Sequence, residues 1–341
     1  MAMSSPIIGI TMGDPAGIGP EIIVRGLARK EAFVSCRPLV FGDPNVLGKA
    51  NKALGFPCTI NPVREPKDIK GCPGTADLIE LSHIDLKGFR FGIPRKSYAV
   101  STIRYLETAL SFAQDEKIDG ITTCPVNKGF LNDAGYPFSG HTEFLAQRTD
   151  SSPVVMMLVT EAFRVSLVTT HCALRDVADL ITSGRIIDTI RITNRALRSF
   201  FGISNPRLAV AALNPHAGEG GLFGSEEETI ILPAVDECRS TGIDIEGPMP
   251  SDSLFHFAAE GKYDAIVCMY HDQGLIPIKL TGFKKAVNVT LGLPIIRTSV
   301  DHGTAYEIAG SGEADPSSLI EAIILAGEMA GGRGKDVDKS G

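Results

Sequence analysis

The stretch Tyr263–Lys279, YDAIVCMYHDQGLIPIK, decides how the rest of the chain is read. Its apolar run Ala265–Met269 is short, partly β-branched and bounded by polar residues, the pattern of a buried strand. Tyr270, His271 and Asp272 follow, then a turn at Gly274 and a second apolar run to Lys279. A histidine and an aspartate thus stand just past a strand's carboxyl end, the edge where open α/β sheets bind ligands. The pattern recurs: RVSLVTTH puts His171 after a strand-like run, and RLAVAALNPH puts His216 after another. Three runs that each deliver an imidazole at the same end can converge on one point in space.

Composition is compatible with that reading. The 341 residues suffice for two domains or one large α/β unit, and 43% hydrophobic with 21% charged residues is ordinary for a globular protein. A net charge of −7 without a basic block leaves no footprint for nucleic acid, although local clusters can still hold an anionic substrate. The seven cysteines (Cys36, Cys58, Cys72, Cys124, Cys172, Cys238, Cys268) are scattered, odd in number and free of any CxxC, which argues against a zinc ribbon or a disulfide framework. Several lie in apolar runs and read as reduced core thiols, so a cytoplasmic location is expected. MAMSSPIIGIT lacks the charged start of a signal peptide, and no apolar run reaches the ~20 residues of a membrane span.

Outward from the central stretch, Pro6–Thr11 reads as a first strand and GDPAGIGPEI as a tight turn into a helix that ends near Lys30. Gly17-x-Gly19 suggests a dinucleotide fingerprint, but the third glycine and the acidic end of a second strand are missing; a turn packing a helix on a sheet is the better reading. PLVFGD is a second strand, and the next fifty residues read as peripheral strands and loops. Ser97–Glu116 is an amphipathic helix with Ile103, Leu106, Leu110 and Ala113 on one face, and Ile118–Thr123 is a strand ending in CPVNKG. FSGHTEF puts Ser139, His141 and Thr142 at a helix start, where donors can hold an anion or simply cap the helix. Val154–Val159 and Arg164–Thr169 read as adjacent strands, and Asp176–Phe201 as a helix interrupted near Gly184. Pro206–Leu213 is a strand before the glycine-rich NPHAGEGG, a helix follows over Glu226–Gly242, and Asp252 precedes a short helix. VNVTLG and LPIIRTSV are strand-like, Leu319–Met329 is a closing helix, and GGRGKDVDKSG is a loose tail.

His171, His216 and His271 are candidate metal ligands: imidazole suits zinc and other first-row ions, and three protein ligands leave a position for substrate or water. They lie 45 and 55 residues apart, so they form no local motif, and a lone histidine is more often a hydrogen-bonded structural residue; their shared place at strand ends is what groups them. Lys279, Asn288 and Arg297 add donors near the same edge that can hold phosphate or carboxylate, whereas Lys284 and Lys285 fit a solvated turn.

With these residues in view, the chain resembles the 4-hydroxythreonine-4-phosphate dehydrogenase family of pyridoxal phosphate biosynthesis. The resemblance runs from ITMGDPAGIGPE to SGEADPSS through GHTEF, TTHCALRD, LNPHAGEGG, GPMPSD, CMYHDQG and NVTLGLPIIRTSVDHGTA. It implies an isocitrate/isopropylmalate dehydrogenase-like fold, two α/β domains with a cleft between them. One domain would be discontinuous, residues 1–125 plus 285–341 on the nucleotide side; residues 126–284 would carry the metal ligands and dimer contacts. It implies a homodimer with the site at the subunit interface and one divalent ion (Zn, Mg or Co) on His171, His216 and His271. It also implies substrate contacts from His141, Thr142, Lys279, Asn288 and Arg297, with NAD or NADP as oxidant. DHGTAYEIAGSGEADP is similar to the adenine-side loop of the isocitrate dehydrogenases, which makes His302, Gly303 and Asp315 the cofactor-side residues; Asp315 stands where those enzymes often carry Asn. Lys279, His141 and Asp252 are the candidates for proton transfer.

The implied reaction is metal-dependent oxidation of 4-phosphooxy-L-threonine at C3 with decarboxylation to 3-amino-2-oxopropyl phosphate. A paralogue acting on 4-phospho-D-threonate or 4-phospho-D-erythronate would share the metal and phosphate residues, and Asn288 and Arg297 do not exclude a relative that oxidises a carboxylated cyclohexadiene diol. NDAGYPFSGHTEFLA is closer to the biosynthetic enzyme, while Asn127 and LTGFKKAVN depart from it. Readings of another class are acyl transfer to phosphate, which needs neither nicotinamide nor three histidines, and a nonenzymatic binding module, which needs neither Lys279 nor Arg297.

Overall fold

A computed structural model of the chain describes residues 5–55, 58–136 and 140–332. The chain folds as two compact units, one holding the residues up to Ser151 together with Leu293–Gly331, the other built on Ser152–Gly292.

The first unit contains strands β1 (Ile7–Thr11), β2 (Arg37–Gly42), β3 (Thr59–Pro62), β4 (Thr75–Glu80) and β5 (Gly120–Thr123); its last strand, here numbered β12 (Ile296–Val300), comes from the returning chain. Their order is β3-β4-β2-β1-β5-β12, and each neighbouring pair is parallel. Strands of a parallel sheet are covered on both faces, which explains why they read as continuous apolar runs: Ile8, Ile10, Leu39, Val40 and Phe41 are all fully buried. Helix Tyr98–Gln114 buries Ile103, Leu106, Leu110 and Ala113, the face that the periodicity predicts. Helix Pro44–Leu54 lies in the stretch read as strands and loops. Its signal is Asp43-Pro44: the carboxylate accepts from the N–H groups of Asn45 and Val46, and proline suits a first helical turn.

GDPAGIGPEI is a packing turn and not a phosphate cradle. A Cβ on Gly19 would lie 2.2 Å from the Met12 carbonyl oxygen. The amides that a pyrophosphate would need are engaged inside the protein, Gly17 N–H on the Asp14 carbonyl and Ile18 N–H on the Thr304 carbonyl.

The second unit contains β6 (Val155–Val159), β7 (Arg164–Leu167), β8 (Arg207–Ala211), β9 (Asp244–Met249), β10 (Ala265–Cys268) and β11 (Val287–Leu291), in the order β11-β6-β7-β10-β8-β9. β6 runs antiparallel to β11 and β7; β7, β10, β8 and β9 run parallel. The helix expected to break near Gly184 breaks at Ile181–Thr182, where the Thr182 side chain caps helix Ser183–Ser199.

The turn expected at Gly274 is absent. His271–Gly282 is one helix, with Pro277 inside it. Gly274 is small for another reason: a Cβ there would lie 2.5 Å from Val165 Cγ1 and 3.1 Å from Leu167 Cδ2, so the residue lets the helix lie directly on β7. Gln273 fastens the same region. Its Oε1 accepts from Met269 N–H at 2.7 Å, and its Nε2 donates to the Ala212 carbonyl at 2.6 Å and to Ser251 Oγ at 2.8 Å. Among the described residues no helix is long and apolar enough to cross a membrane.

Candidate active site

β10 lies between β7 and β8, and all three are parallel, so their carboxyl ends share one edge of the sheet. His171 follows β7, His216 follows β8, and His271 follows β10 and opens helix His271–Gly282. The rings of His171 and His271 have centroids 5.5 Å apart. His271 Nδ1 is 2.7 Å from Asp272 Oδ1, and His216 Nδ1 is 3.2 Å from Glu219 Oε2. A carboxylate accepting from Nδ1–H orients the ring and leaves Nε2 as the ligating nitrogen, the usual support of a metal-bound histidine. Among the described residues no three His, Cys, Asp or Glu side chains stand close enough to hold a metal ion. The structure therefore pairs His171 with His271 and brings His216 to the same sheet edge; the donor chemistry fits a divalent ion.

His216 (φ 51°) and Ala217 (φ 53°) both adopt left-handed backbone. Each costs roughly 1–2 kcal/mol, so the surroundings must hold them there. Glu227, 3% exposed, fastens the chain just before them. Its Oε1 accepts from Leu213 N–H at 2.8 Å and Asn214 N–H at 2.7 Å, and its Oε2 from Asn214 Nδ2 at 3.0 Å. Sequence reading does not single out Glu227; its only signal is a run of three glutamates, Glu226–Glu228, soon after a glycine-rich loop.

Three further expected residues sit in this unit. Lys279 Nζ lies 5.1 Å over the Phe283 ring. Asp252 is exposed in the first turn of helix Ser251–Ala259, beside the serine that Gln273 holds. Asn288 lies on β11 with its Oδ1 out of water and no hydrogen-bond partner among the described residues.

His141, Thr142 and Arg297 belong to the first unit. Ser139 lies outside the described residues. His141 and Thr142 open helix His141–Arg148. The imidazole is half-buried as a whole, yet its Nε2 is out of water with no hydrogen-bond partner among the described residues. Burial, then the charges of Arg297 and Lys128, hold it well below the ordinary histidine range, so it is neutral at pH 7. Arg297, on β12 and 3% exposed, donates from an Nη to Thr123 Oγ1 at 2.8 Å. Burial pushes its guanidinium down to about 10, opposed by Glu143, which still leaves it charged. One buried cation and a nearby lysine thus concentrate positive charge beside a half-sequestered imidazole at a helix start, in a chain of net charge −7. Lys128 stands in CPVNKG, where the sequence gives it no signal apart from the other polar residues of that group.

His302, Gly303 and Asp315 lie on the segment between β12 and helix Ser317–Gly332. His302 is exposed, with Nδ1 3.1 Å from the Gly303 carbonyl, and a Cβ on Gly303 would meet open space. Asp315 Oδ1 accepts from Ser317 N–H at 3.0 Å and Oγ at 2.6 Å, so it caps the last helix.

Residues 34–326 match the model of the family described as pyridoxal phosphate biosynthetic protein PdxA. The chain belongs to that family. A 4-hydroxythreonine-4-phosphate dehydrogenase of Desulforapulum autotrophicum is 49% identical over 330 residues, which cover 97% of each chain. A D-threonate 4-phosphate dehydrogenase of Cupriavidus necator is 47% identical over 326 residues, covering 95% of this chain and 97% of the relative. The crystal structure of a 4-hydroxythreonine-4-phosphate dehydrogenase from Klebsiella pneumoniae matches with a TM-score of 0.88 at 41% identity, over 96% of this chain and 100% of that one. This PdxA-family chain is an NAD(P)-dependent dehydrogenase of α/β fold, and the acyl-transfer and binding-module readings fall away.

Proposed function

We propose that the chain oxidises 4-phosphooxy-L-threonine at C3 with NAD or NADP and releases the carboxyl group as CO2, giving 3-amino-2-oxopropyl phosphate for pyridoxal phosphate biosynthesis. The observation that carries this reading is the buried Arg297 beside His141, whose Nε2 is sequestered and without a hydrogen-bond partner among the described residues. A phosphate monoester there gains charge-assisted bonds from a fixed guanidinium. Thr142 adds a hydroxyl in the first turn of the same helix, and Lys128 adds positive charge.

His171, His216 and His271 would hold a divalent ion (zinc, magnesium or cobalt), which would supply Lewis-acid chemistry toward a hydroxyl and the negative charge it develops. His302, Gly303 and Asp315 would lie toward a nicotinamide nucleotide, which would supply the two-electron acceptor. Proton removal from the alcohol and proton return to carbon fall to Lys279, His141 and Asp252. Of these, His141 is neutral at pH 7 and a weak proton acceptor, because burial and then the charges of Arg297 and Lys128 disfavour its protonated form. Asn288 offers its Oδ1 as an acceptor for a substrate hydroxyl or ammonium. The exposed ridge of Ile276 (59%) and Leu280 (82%) on helix His271–Gly282, continued by Phe283 (73%) just past its end, supports a homodimer in which the site lies at the subunit interface. Seven free cysteines, five of them buried, support a cytoplasmic location.

The Cupriavidus relative at 47% identity supports a second reading, oxidation of 4-phospho-D-threonate or 4-phospho-D-erythronate in sugar-acid catabolism. An absorbance assay at the reduced-nicotinamide band with 4-phosphooxy-L-threonine and 4-phospho-D-threonate side by side separates the two. Faster turnover of the amino acid supports the first reading, and turnover of the threonate alone replaces it with the second. Chelation, or His271→Ala in a protein that stays folded, is expected to abolish either activity; full turnover after chelation would remove the metal from the scheme.

A further inference from the structure

GDPAGIGPEI is the one long motif to which the reaction gives no task. From this motif and the helix Gly19–Leu27 it runs into, Asp14, Ile18, Glu21 and Arg25 make hydrogen bonds with the segment after β12. Asp14 Oδ2 accepts from the Tyr306 hydroxyl at 2.6 Å, and Ile18 N–H donates to the Thr304 carbonyl at 3.0 Å. Glu21, 1% exposed, accepts from Gly310 N–H at 2.9 Å on one oxygen and from Ala314 N–H at 3.1 Å on the other. Arg25 donates to the Gly312 carbonyl at 2.6 Å and the Ala314 carbonyl at 2.5 Å, and lies 3.6 Å from the Glu21 carboxylate. Positions 14, 18, 21 and 25 repeat at helical spacing, so the contacts form one row along the helix and the turn before it.

The contacts of Glu21 and Arg25 to this segment go to backbone groups. The pair holds two N–H and two carbonyl groups of residues 310–314. That leaves the side chains of Ser311, Glu313 and Asp315 exposed. The approach is close throughout: a Cβ on Gly17 would lie 3.1 Å from the Thr304 carbonyl oxygen, and one on Gly92 would lie 2.6 Å from that of Tyr306. A carboxylate this deeply buried persists only when its acceptor positions are filled, and here they are filled by two amides and a guanidinium.

We propose that Glu21 and Arg25 are positioning residues for the nucleotide: they set the backbone of residues 304–314 in the shape that receives the adenine side of the dinucleotide. Neither residue touches the cofactor. The proposal rests on the reading of His302–Asp315 as the nucleotide-side segment. With its backbone fixed by Glu21 and Arg25 the segment is pre-shaped, and nucleotide binding is spared the ordering of a long irregular loop.

The test uses Glu21→Gln and Arg25→Met in the full-length enzyme, with Gly303→Val as a probe of the segment's open surface. In Glu21→Gln an amide replaces one acceptor oxygen, so one of the two loop amides loses its partner. We expect KM for the nicotinamide nucleotide to rise about tenfold or more while KM for the phosphorylated substrate stays within about twofold. Amide hydrogen exchange, read on peptides covering residues 304–316, is expected to speed up in both variants and to stay unchanged over Ser152–Gly292. Arg25→Met keeps the aliphatic stem, so it reports on the contact if Glu21→Gln fails to fold. Unchanged exchange in the segment, or equal rises in both KM values, would overturn the proposal. If Gly303→Val leaves nucleotide affinity untouched while exchange in Glu21→Gln does speed up, the clamp stands as a structural contact and the nucleotide reading of the segment is what fails.

Discussion

Replacing Gly274 by alanine is expected to destabilise the protein, although glycine in a helix interior usually costs ~1 kcal/mol relative to alanine. Gly274 lies four residues into helix His271–Gly282. The new methyl would sit 2.5 Å from Val165 Cγ1, where carbon atoms want about 3.5–4.0 Å. Val165 is fully buried and β-branched, so it has little freedom to turn away. Leu167 Cδ2 at 3.1 Å and Cys268 Sγ at 3.4 Å block retreat sideways. The helix must therefore lift by about 1 Å, and overpacking of this kind typically costs ~1–3 kcal/mol, enough to outweigh the propensity gain. A unit of this size loses roughly 2–4 °C in Tm per kcal/mol. The helix begins at His271 and carries Lys279, so a displacement of ~1 Å also reaches the chemistry, where it is worth up to ~100-fold in rate. Thermal unfolding and kcat/KM for reduced-nicotinamide formation measure both effects. Gly184→Ala is the control, because a Cβ there meets nothing within 4 Å; it should raise stability by up to ~1 kcal/mol. A Gly274→Ala enzyme that is more stable and fully active would refute the packing argument.

Other outcomes follow from the same geometry. His141 is held below its ordinary pKa, so on acidification the unfolded chain takes up a proton that the folded chain refuses. Stability should therefore fall by up to ~1.4 kcal/mol per pH unit as pH drops below ~6.5, and His141→Asn should flatten that slope in Tm measured from pH 8 to pH 5. Arg297→Met should raise KM for the phosphorylated substrate by ~10–100-fold with a smaller effect on nucleotide KM, as steady-state kinetics would show. Glu227→Ala leaves the amides of Leu213 and Asn214 without their acceptor, so it should lower Tm and weaken zinc binding measured by calorimetry.

Much of this site could be read from sequence because strands announce themselves and their ends are where function lies. β7, β8 and β10 each combine an apolar run with a following histidine, and their parallel adjacency puts those histidines on one edge. His141 and Arg297 were nameable from the resemblance, but not the burial that makes one neutral and the other a fixed cation. Arg297 is fixed by Thr123, 174 residues away, and His141 is held neutral first by burial and then by the charge of the distant Arg297. Gly274 was misread as a turn because glycine signals both a bend and a close approach, and only the position of Val165 tells them apart. Helix Pro44–Leu54 was missed because prolines and glycines around it hid the Asp43-Pro44 start. Glu21 and Arg25 had no local signal: their partners lie 287 to 293 residues away.

The pairing of β5 with β12 has a consequence for synthesis. Gly120–Thr123 emerges early, but its neighbour Ile296–Val300 arrives only after Ser152–Gly292 has been made. Until then β5 offers bare peptide groups along one side, and Thr122 lacks the hydroxyl of Thr298 that it later meets at 2.8 Å. The central segment has all its strands in hand first, so on the ribosome the later-made half of the fold can mature while the earlier-made half waits for its last strand.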